Sequence, residues 1–411
     1  MGRCTVVAST SFTTPKASRY DVIIVGGAVM GSSSAYWLTD DPGFKGRVLV
    51  VERDSTYHRA PSARAASCIR QQFSQPINIL ISQFGIEFIR GFRERMQKHY
   101  PGEVAPDLAL KEHGFLYCWR PEYAEKARER AALQRSLGAH TLFLNPGEIK
   151  QRFPWANVDD LGGASWATEA EGWFDNIGLL NGLRYAAKKQ GAEYVENEVT
   201  GIAREGDRIT AVTLSTGERI ACGTVINTAG GRGRIVANMA GLDIPVERRK
   251  RDLFIFSSAV PVAGRMPHVI DITGSFVRPE GQFYLTGNAP LEDPEAALDD
   301  YETRHADFEE RVWPTIANRV PQFETIKLQR FWSCHYDYNT LDYNAILGRH
   351  SDVKNFIFCN GFSGHGLQQS PAIGRAIAEL VIHGSYRTLD MSEMSYDRVP
   401  ANRPFLEEAI I

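Results

Sequence analysis

The chain reads as an α/β protein with a Rossmann-like lobe for a dinucleotide. Three stretches predict this. Tyr20 to Leu38, "YDVIIVGGAVMGSSSAYWL", is an apolar strand, a glycine turn and a small-residue helix. Val199 to Gly231 reads as hairpin strands and then an apolar strand ending in "NTAGG". Near the C-terminus "GFSGHGLQQSPAIG" carries the apolar run "FIFC" into a helix through three glycines, a serine and a histidine. Small residues at such a junction let backbone N–H groups approach a ligand closely.

In the first stretch the template G-x-G-x-x-G falls on Gly26, Ala28 and Gly31, with Gly27 beside the replaced middle glycine. That middle position lets the backbone reach a pyrophosphate, so the Ala28 methyl costs clearance there. Val29 and Met30 open the helix. A second strand, "RVLVVERD", ends in Glu52 and Arg53, with Glu52 21 residues after Gly31. An acid at that distance accepts hydrogen bonds from an adenosine ribose. The next segment carries Ser62, Ala66, Ser67 and Cys68, small residues able to wrap a long cofactor. The later meander, from Val199 to Ala229 and Gly230, suits a flavoprotein better than a plain nicotinamide dehydrogenase. FAD is the expected cofactor.

With 411 residues, 43% hydrophobic and 23% charged, the chain has the composition of an ordinary soluble protein of two lobes. A formal charge of −3 offers no electrostatic reason for a nucleic-acid partner. Six scattered cysteines without a C-x-x-C pair point to reduced thiols, in keeping with a cytoplasmic protein, and no spacing suggests a metal site. No apolar run approaches the ~20 residues that span a bilayer. The leader, residues 1–19, is Ser/Thr-rich and acid-free; it reads as a flexible extension, with an organelle transit peptide as the alternative.

Together these segments resemble the D-amino-acid-oxidase-like family of FAD amine oxidoreductases, which includes glycine and sarcosine oxidases and dimethylglycine dehydrogenase. "LVVERD", "RQQFS", "YDYNT" and "GFSGHGLQQ" are most similar to its FAD-dependent oxidoreductase-domain subgroup, whose relatives include a respiratory-complex assembly factor and iminodiacetate oxidase. The resemblance runs from about Tyr20 to the C-terminal tail. It implies a discontinuous, Rossmann-like FAD-binding domain (20–95, 180–245 and 335–411) and a second, mixed α+β substrate domain (96–179 and 246–334). It also implies that Gly361, Gly364, His365, Gly366, Leu367 and Gln368 approach the flavin.

The family's substrate carboxylate is gripped by an arginine that matches Arg70, whose fork suits a carboxylate bidentately. Tyr336 matches a tyrosine that faces substrate, and His365 joins it at the flavin. Cys334 stands near the position where sarcosine oxidase attaches its flavin through sulfur, so a covalent link is an alternative to a non-covalent cofactor. His335 alternates to the opposite face of that strand and is taken as a further substrate-binding candidate. Gln368 replaces a lysine that serves as a second carboxylate partner. Arg249 and Arg251 share one face of a strand and could hold a second carboxylate, as a dicarboxylic amine requires.

The implied reaction is oxidation of a small secondary amine or N-substituted amino acid of the sarcosine, iminodiacetate or other N-carboxymethyl type. Hydride passes to the flavin, the imine is hydrolysed, to glyoxylate for N-carboxymethyl amines, and oxygen is reduced to peroxide. The strand "QFYLTGNAP" lacks the lysine that assists oxygen in sarcosine oxidase. A dehydrogenase feeding an electron-transfer flavoprotein or quinone, or an FAD-containing assembly factor, therefore stand as alternatives.

Overall fold

A computed structural model describes residues 12–167 and 169–409. Two eight-stranded sheets organise it. In the first, the strands Ile346–Arg349, Phe356–Asn360, Arg219–Asn227, Arg19–Val25, Val48–Glu52 and Glu193–Glu196 lie side by side, and Val199–Glu205 and Arg208–Leu214 branch from Arg219–Asn227 as a hairpin. Arg19–Val25 pairs in parallel with both neighbours. Its residues Val22 to Val25 are all buried, as in a sheet covered on both faces.

The helix Val29–Asp40 packs on the sheet because Ser32, Ser33, Ser34 and Ala35 are small enough to bury completely. It lies against the helices Gly366–His383 and Asn176–Lys189. A Cβ on Gly374 would stand 2.1 Å from Ser33 Oγ, which shows how closely the first pair approach. The start of Asn176–Lys189 lies inside "EGWFDNIG". Asp175 caps it, its side chain accepting from Gly178 N at 2.9 Å.

The second sheet is mostly antiparallel, in the order Ile326–Asn339, Val246–Ser258, Phe283–Asn288, Phe276–Glu280, His268–Ile270, Phe115–Trp119, Gly163–Ala167 and Thr141–Leu144. Its longest pair, Val246–Ser258 with Ile326–Asn339, brings Arg249 opposite Tyr336 and Lys250 opposite His335. The expectation of a flexible extension over 1–19 lies partly outside the described residues. From Thr13 onward the chain is tied down instead: Thr13 N donates to Glu196 O at 2.9 Å, and Lys16 N donates to Glu193 Oε1 at 2.7 Å. No helix among the described residues is long and apolar enough to cross a membrane.

Candidate functional site

Three cavities run in series where the sheets meet. The first, about 1110 Å³ of space open to solvent, is lined by Gly26, Ala28, Glu52, Arg53, Val199, Ala229 and Gly230 among others. The second, about 620 Å³, shares Ala28, Pro61, Thr228 and Gly230 with it and adds Val29, Met30, Ser62 and Gly366. The third, about 630 Å³, shares Ala65, Tyr336, Gly364 and Leu367 with the second and adds Ala66, Ser67, Cys68, Arg70, His365 and Gln368. One channel therefore passes from the Glu52 carboxylate to the Arg70 guanidinium.

The glycine turn explains the shape at the first end. Gly26 has φ +102°, and a Cβ there would stand 2.6 Å from Thr228 O. Gly31 could carry no side chain either, since its Cβ would meet Gly26 O at 1.9 Å. Ala28, in contrast, has φ −66° and ψ −165°, an ordinary extended conformation, so its methyl needs no backbone strain. Gly27 N donates to Glu52 Oε2 at 2.8 Å and Asp54 N to Oε1 at 3.0 Å, which locks the carboxylate to the turn. Burial raises the Glu52 pKa, an effect these backbone donors oppose.

Two helices, Val29–Asp40 and Gly366–His383, begin at the second cavity, and neither has a side-chain cap. Their first-turn N–H groups, of which Val29 N already donates to Ser62 Oγ at 3.4 Å, and their positive dipole ends favour an anionic or carbonyl-bearing ligand. Asp337 fixes the loop before the second helix: its Oδ2 accepts from Gly361 N at 2.9 Å and from Phe362 N at 3.2 Å. Burial pushes its pKa up to about 6. Ser67 and Ser363 both hold positive φ, 62° and 49°, at the wall of the third cavity. Strained backbone of this kind concentrates at ligand sites.

In the third cavity Arg70 is 2% exposed. Its guanidinium stacks 4.1 Å from the centre of Phe73. Nη1 donates to Gln72 O, while Nη2 donates to Ala409 O and to His365 Nε2, the last at 3.3 Å. An arginine can only donate, so His365 accepts through Nε2 and is neutral. Burial first, then the Arg70 charge, hold its pKa well below the usual histidine value. Gln368 faces the same arginine from behind, Oε1 accepting from Arg70 N at 2.8 Å.

Sequence reasoning missed several of these neighbours. Glu171 is fully buried, accepts from Gln71 N at 2.7 Å and from Gln72 Nε2 at 2.9 Å, and so braces the turn that holds Arg70. Burial raises its pKa to about 7. His268 stacks between Phe115, 4.3 Å away, and Phe276, 5.0 Å away, in the cavity wall. Neither residue belongs to a motif: His268 is placed by the order of strands in the second sheet, and Glu171 lies just before the short strand Gly172–Trp173, outside that sheet.

Three expectations need correction. Arg249 and Arg251 do not line the cavity of Arg70. Arg251 forks Asp293 at 2.7 and 2.8 Å, and Arg249 pairs with Glu247 and donates to Asp293 O, so both charges are already matched. His335 faces the first cavity, away from the substrate end, where it stacks on Tyr301 at 4.3 Å. The covalent alternative loses support at Cys334, which is 1% exposed and lies outside all three cavities, with burial pushing its thiol up to about 12.

The family model for FAD dependent oxidoreductases (DAO) matches residues 21–380. The chain belongs to this family. FAD is its cofactor. The channel fits that group: a carboxylate for the ribose end, two helix starts without side-chain caps, and Arg53 and Arg59 to balance a pyrophosphate. Gly230 has φ +53° and nothing within 4 Å of a Cβ, so the backbone there leaves room for the cofactor.

Among relatives of this DAO-family chain, the Xenopus laevis "FAD-dependent oxidoreductase domain-containing protein 1" is 38% identical over 96% of this chain and 85% of its own length. The human mitochondrial sarcosine dehydrogenase is 24% identical over 93% of this chain and 42% of its own length. Among solved structures, the L-proline dehydrogenase of P. horikoshii has a TM-score of 0.82 at 22% identity, covering 94% of this chain and 99% of that one. Iminodiacetate oxidase from Chelativorans sp. BNC1 has a TM-score of 0.74 at 19% identity, covering 91% and 98%.

Proposed function

We propose that this DAO-family protein oxidises a small secondary amine or N-substituted amino acid, of the sarcosine or N-carboxymethyl type, whose carboxylate binds Arg70. The observation that supports this most is a buried guanidinium facing an aromatic cavity that continues into the cofactor channel. A charged arginine this far from water needs an anionic partner, and a substrate carboxylate supplies one. Two of its N–H groups now rest on the Gln72 and Ala409 carbonyls, which a carboxylate would replace or join.

Bound FAD supplies the acceptor for a hydride from the carbon beside the amine nitrogen. This chain's part is positioning. Arg70 anchors the carboxylate, and Phe115, Phe276, Tyr336 and the neutral imidazole of His268 enclose the amine. An uncharged enclosure disfavours the ammonium form, so the amine enters with its lone pair free. The imine then leaves for hydrolysis, giving glyoxylate from an N-carboxymethyl amine. Arg70 is the single cation among the residues lining this cavity, so a substrate with one carboxylate suits it better than iminodiacetate.

We assign oxygen as acceptor, with peroxide as product. The absence of lysine from the strand Phe283–Asn288 favours, as a second reading, a dehydrogenase that passes electrons to an electron-transfer flavoprotein or quinone. Among the described residues all five cysteines are unpaired, which suits a reducing compartment such as the cytoplasm. The test is the visible spectrum of the purified protein without oxygen, with N-substituted glycines, iminodiacetate and D-amino acids added in turn. Bleaching by monocarboxylic N-substituted glycines, reversed rapidly by air with peroxide release, is the expected result. Slow recovery in air selects the dehydrogenase reading. A yellow protein that none of these bleaches refutes the substrate assignment and leaves an assembly role.

A further inference from the structure

The basic run from Glu247 to Asp252 grips no substrate carboxylate, yet each of its four cations is engaged. They hold the segment 289–304, which joins the strand Phe283–Asn288 to the helix beginning at His305 and has no helix or strand of its own. A connection of that length without regular structure is uncommon in a compact domain and usually forms a binding loop or a lid. Arg248 pairs with Glu295 at 2.5 Å, and Arg251 forks Asp293. Arg249 donates to Asp293 O. Lys250 Nζ reaches both Asp300 carboxylate oxygens at 2.8 Å and Glu302 O at 2.9 Å. Backbone bonds reinforce the clasp, with Ala296 N donating to Arg248 O at 2.8 Å.

The clasp brings Leu298 and Tyr301 into the wall of the first cavity. Tyr301 stacks on His335, ring centres 4.3 Å apart and 19° from parallel, while His335 Nε2 is 2.6 Å from Asp300 O. From another part of the wall Arg59 lies over the Tyr301 ring at 5.2 Å, and Arg64, outside that wall, lies over it at 5.4 Å. Tyr301 thus links the basic strand to the segment after Glu52.

We propose that residues 289–304 are a clasped lid over the dinucleotide cavity and that Tyr301 is the side chain that retains FAD. This rests on the family's cofactor and is independent of which amine is oxidised. Opening the lid parts Tyr301 from His335 and both arginines and breaks ion pairs that are partly open to solvent. Salt weakens such pairs, so FAD should leave faster as ionic strength rises. Direct salt effects on a cofactor pyrophosphate would persist without the clasp, and this separates the two causes.

The test follows FAD fluorescence after the holoprotein is mixed with an excess of a flavin-scavenging apoprotein, at low and high sodium chloride. Wild type should release FAD roughly fivefold faster at high salt. Tyr301→Ala should release it about tenfold faster than wild type at low salt, whereas Tyr301→Phe, which keeps the ring, should stay within about twofold. Asp293→Asn with Asp300→Asn should be fast at low salt and lose most of the salt response. Folded variants that release FAD at the wild-type rate, with the wild-type salt response, would overturn the proposal. If the double variant does not fold, equal rates for Tyr301→Ala and Tyr301→Phe, or a wild-type rate indifferent to salt, overturn it equally.

Discussion

Replacing Glu171 with glutamine should change how the protein's stability depends on pH. Glu171 has no water contact, and burial raises its pKa from 4.5 to about 7 against the pull of its hydrogen bonds from Gln71 and Gln72. A raised acid pKa means that the folded state holds the proton more tightly than the unfolded chain does. The carboxyl therefore costs nothing below the unfolded pKa, and stability is lost as pH rises through the window from 4.5 to 7. At about 1.4 kcal/mol per pKa unit the whole loss is about 3 kcal/mol, of which about 2.5 kcal/mol falls between pH 5 and pH 8. Glutamine does not titrate, so its variant lacks this component. Urea unfolding of both proteins at several pH values, with saturating FAD, gives the difference directly, because the other titrating groups cancel. Wild type should lose about 2.5 kcal/mol relative to Glu171→Gln across that range. Parallel pH profiles, or a difference of the opposite sign, would refute the account of a buried, proton-binding carboxyl.

Two further outcomes follow from the site. Arg70→Lys keeps the charge but loses the fork and its contact with Phe73. Flavin reduction by a carboxylate-bearing amine should fall about 100-fold or more, while an analogue without the carboxylate should lose under about threefold, in anaerobic stopped-flow traces. An equal loss for both would remove Arg70 from substrate binding. Gly364→Ala puts a Cβ at φ +89° and 2.6 Å from the Tyr336 ring. The protein should purify with a lower ratio of flavin to protein absorbance, and a ratio equal to wild type would show that the loop yields easily.

Much of the cofactor end was legible because local chemistry dictates it. A strand, a turn that excludes side chains at Gly26 and Gly31, and an acid at Glu52 are written in consecutive residues. The same holds for the loop from Gly361 to Gly366. Alternation along one strand also separated His335 from Tyr336, and the structure puts them in different cavities. Period-two reasoning failed for Arg249 and Arg251 because it yields a shared face without saying what covers that face. Their partner Asp293 lies more than forty residues later, in an irregular segment with no pattern to read. Glu171 and His268 were illegible for a related reason, since His268 is placed by strand order and Glu171 by tertiary packing, neither by a local motif.

The strand Ile326–Asn339 serves two chambers at once, His335 on one side and Tyr336 on the other. Its pairing with Val246–Ser258 slips once, between Ile255 opposite Arg330 and Phe256 opposite Leu328, which leaves Gln329 as the extra residue. Beyond that bulge the ladder runs in step to Asn339. A single residue inserted between Arg330 and Cys334 would rotate every later side chain to the wrong chamber, putting Cys334 in the place of His335 beside Tyr301 and His335 in the place of Tyr336 in the wall near Arg70. An insertion before Gln329 would be absorbed where the ladder is already out of step. Variation in length should therefore be tolerated on one side of the bulge and lethal to cofactor and substrate binding together on the other.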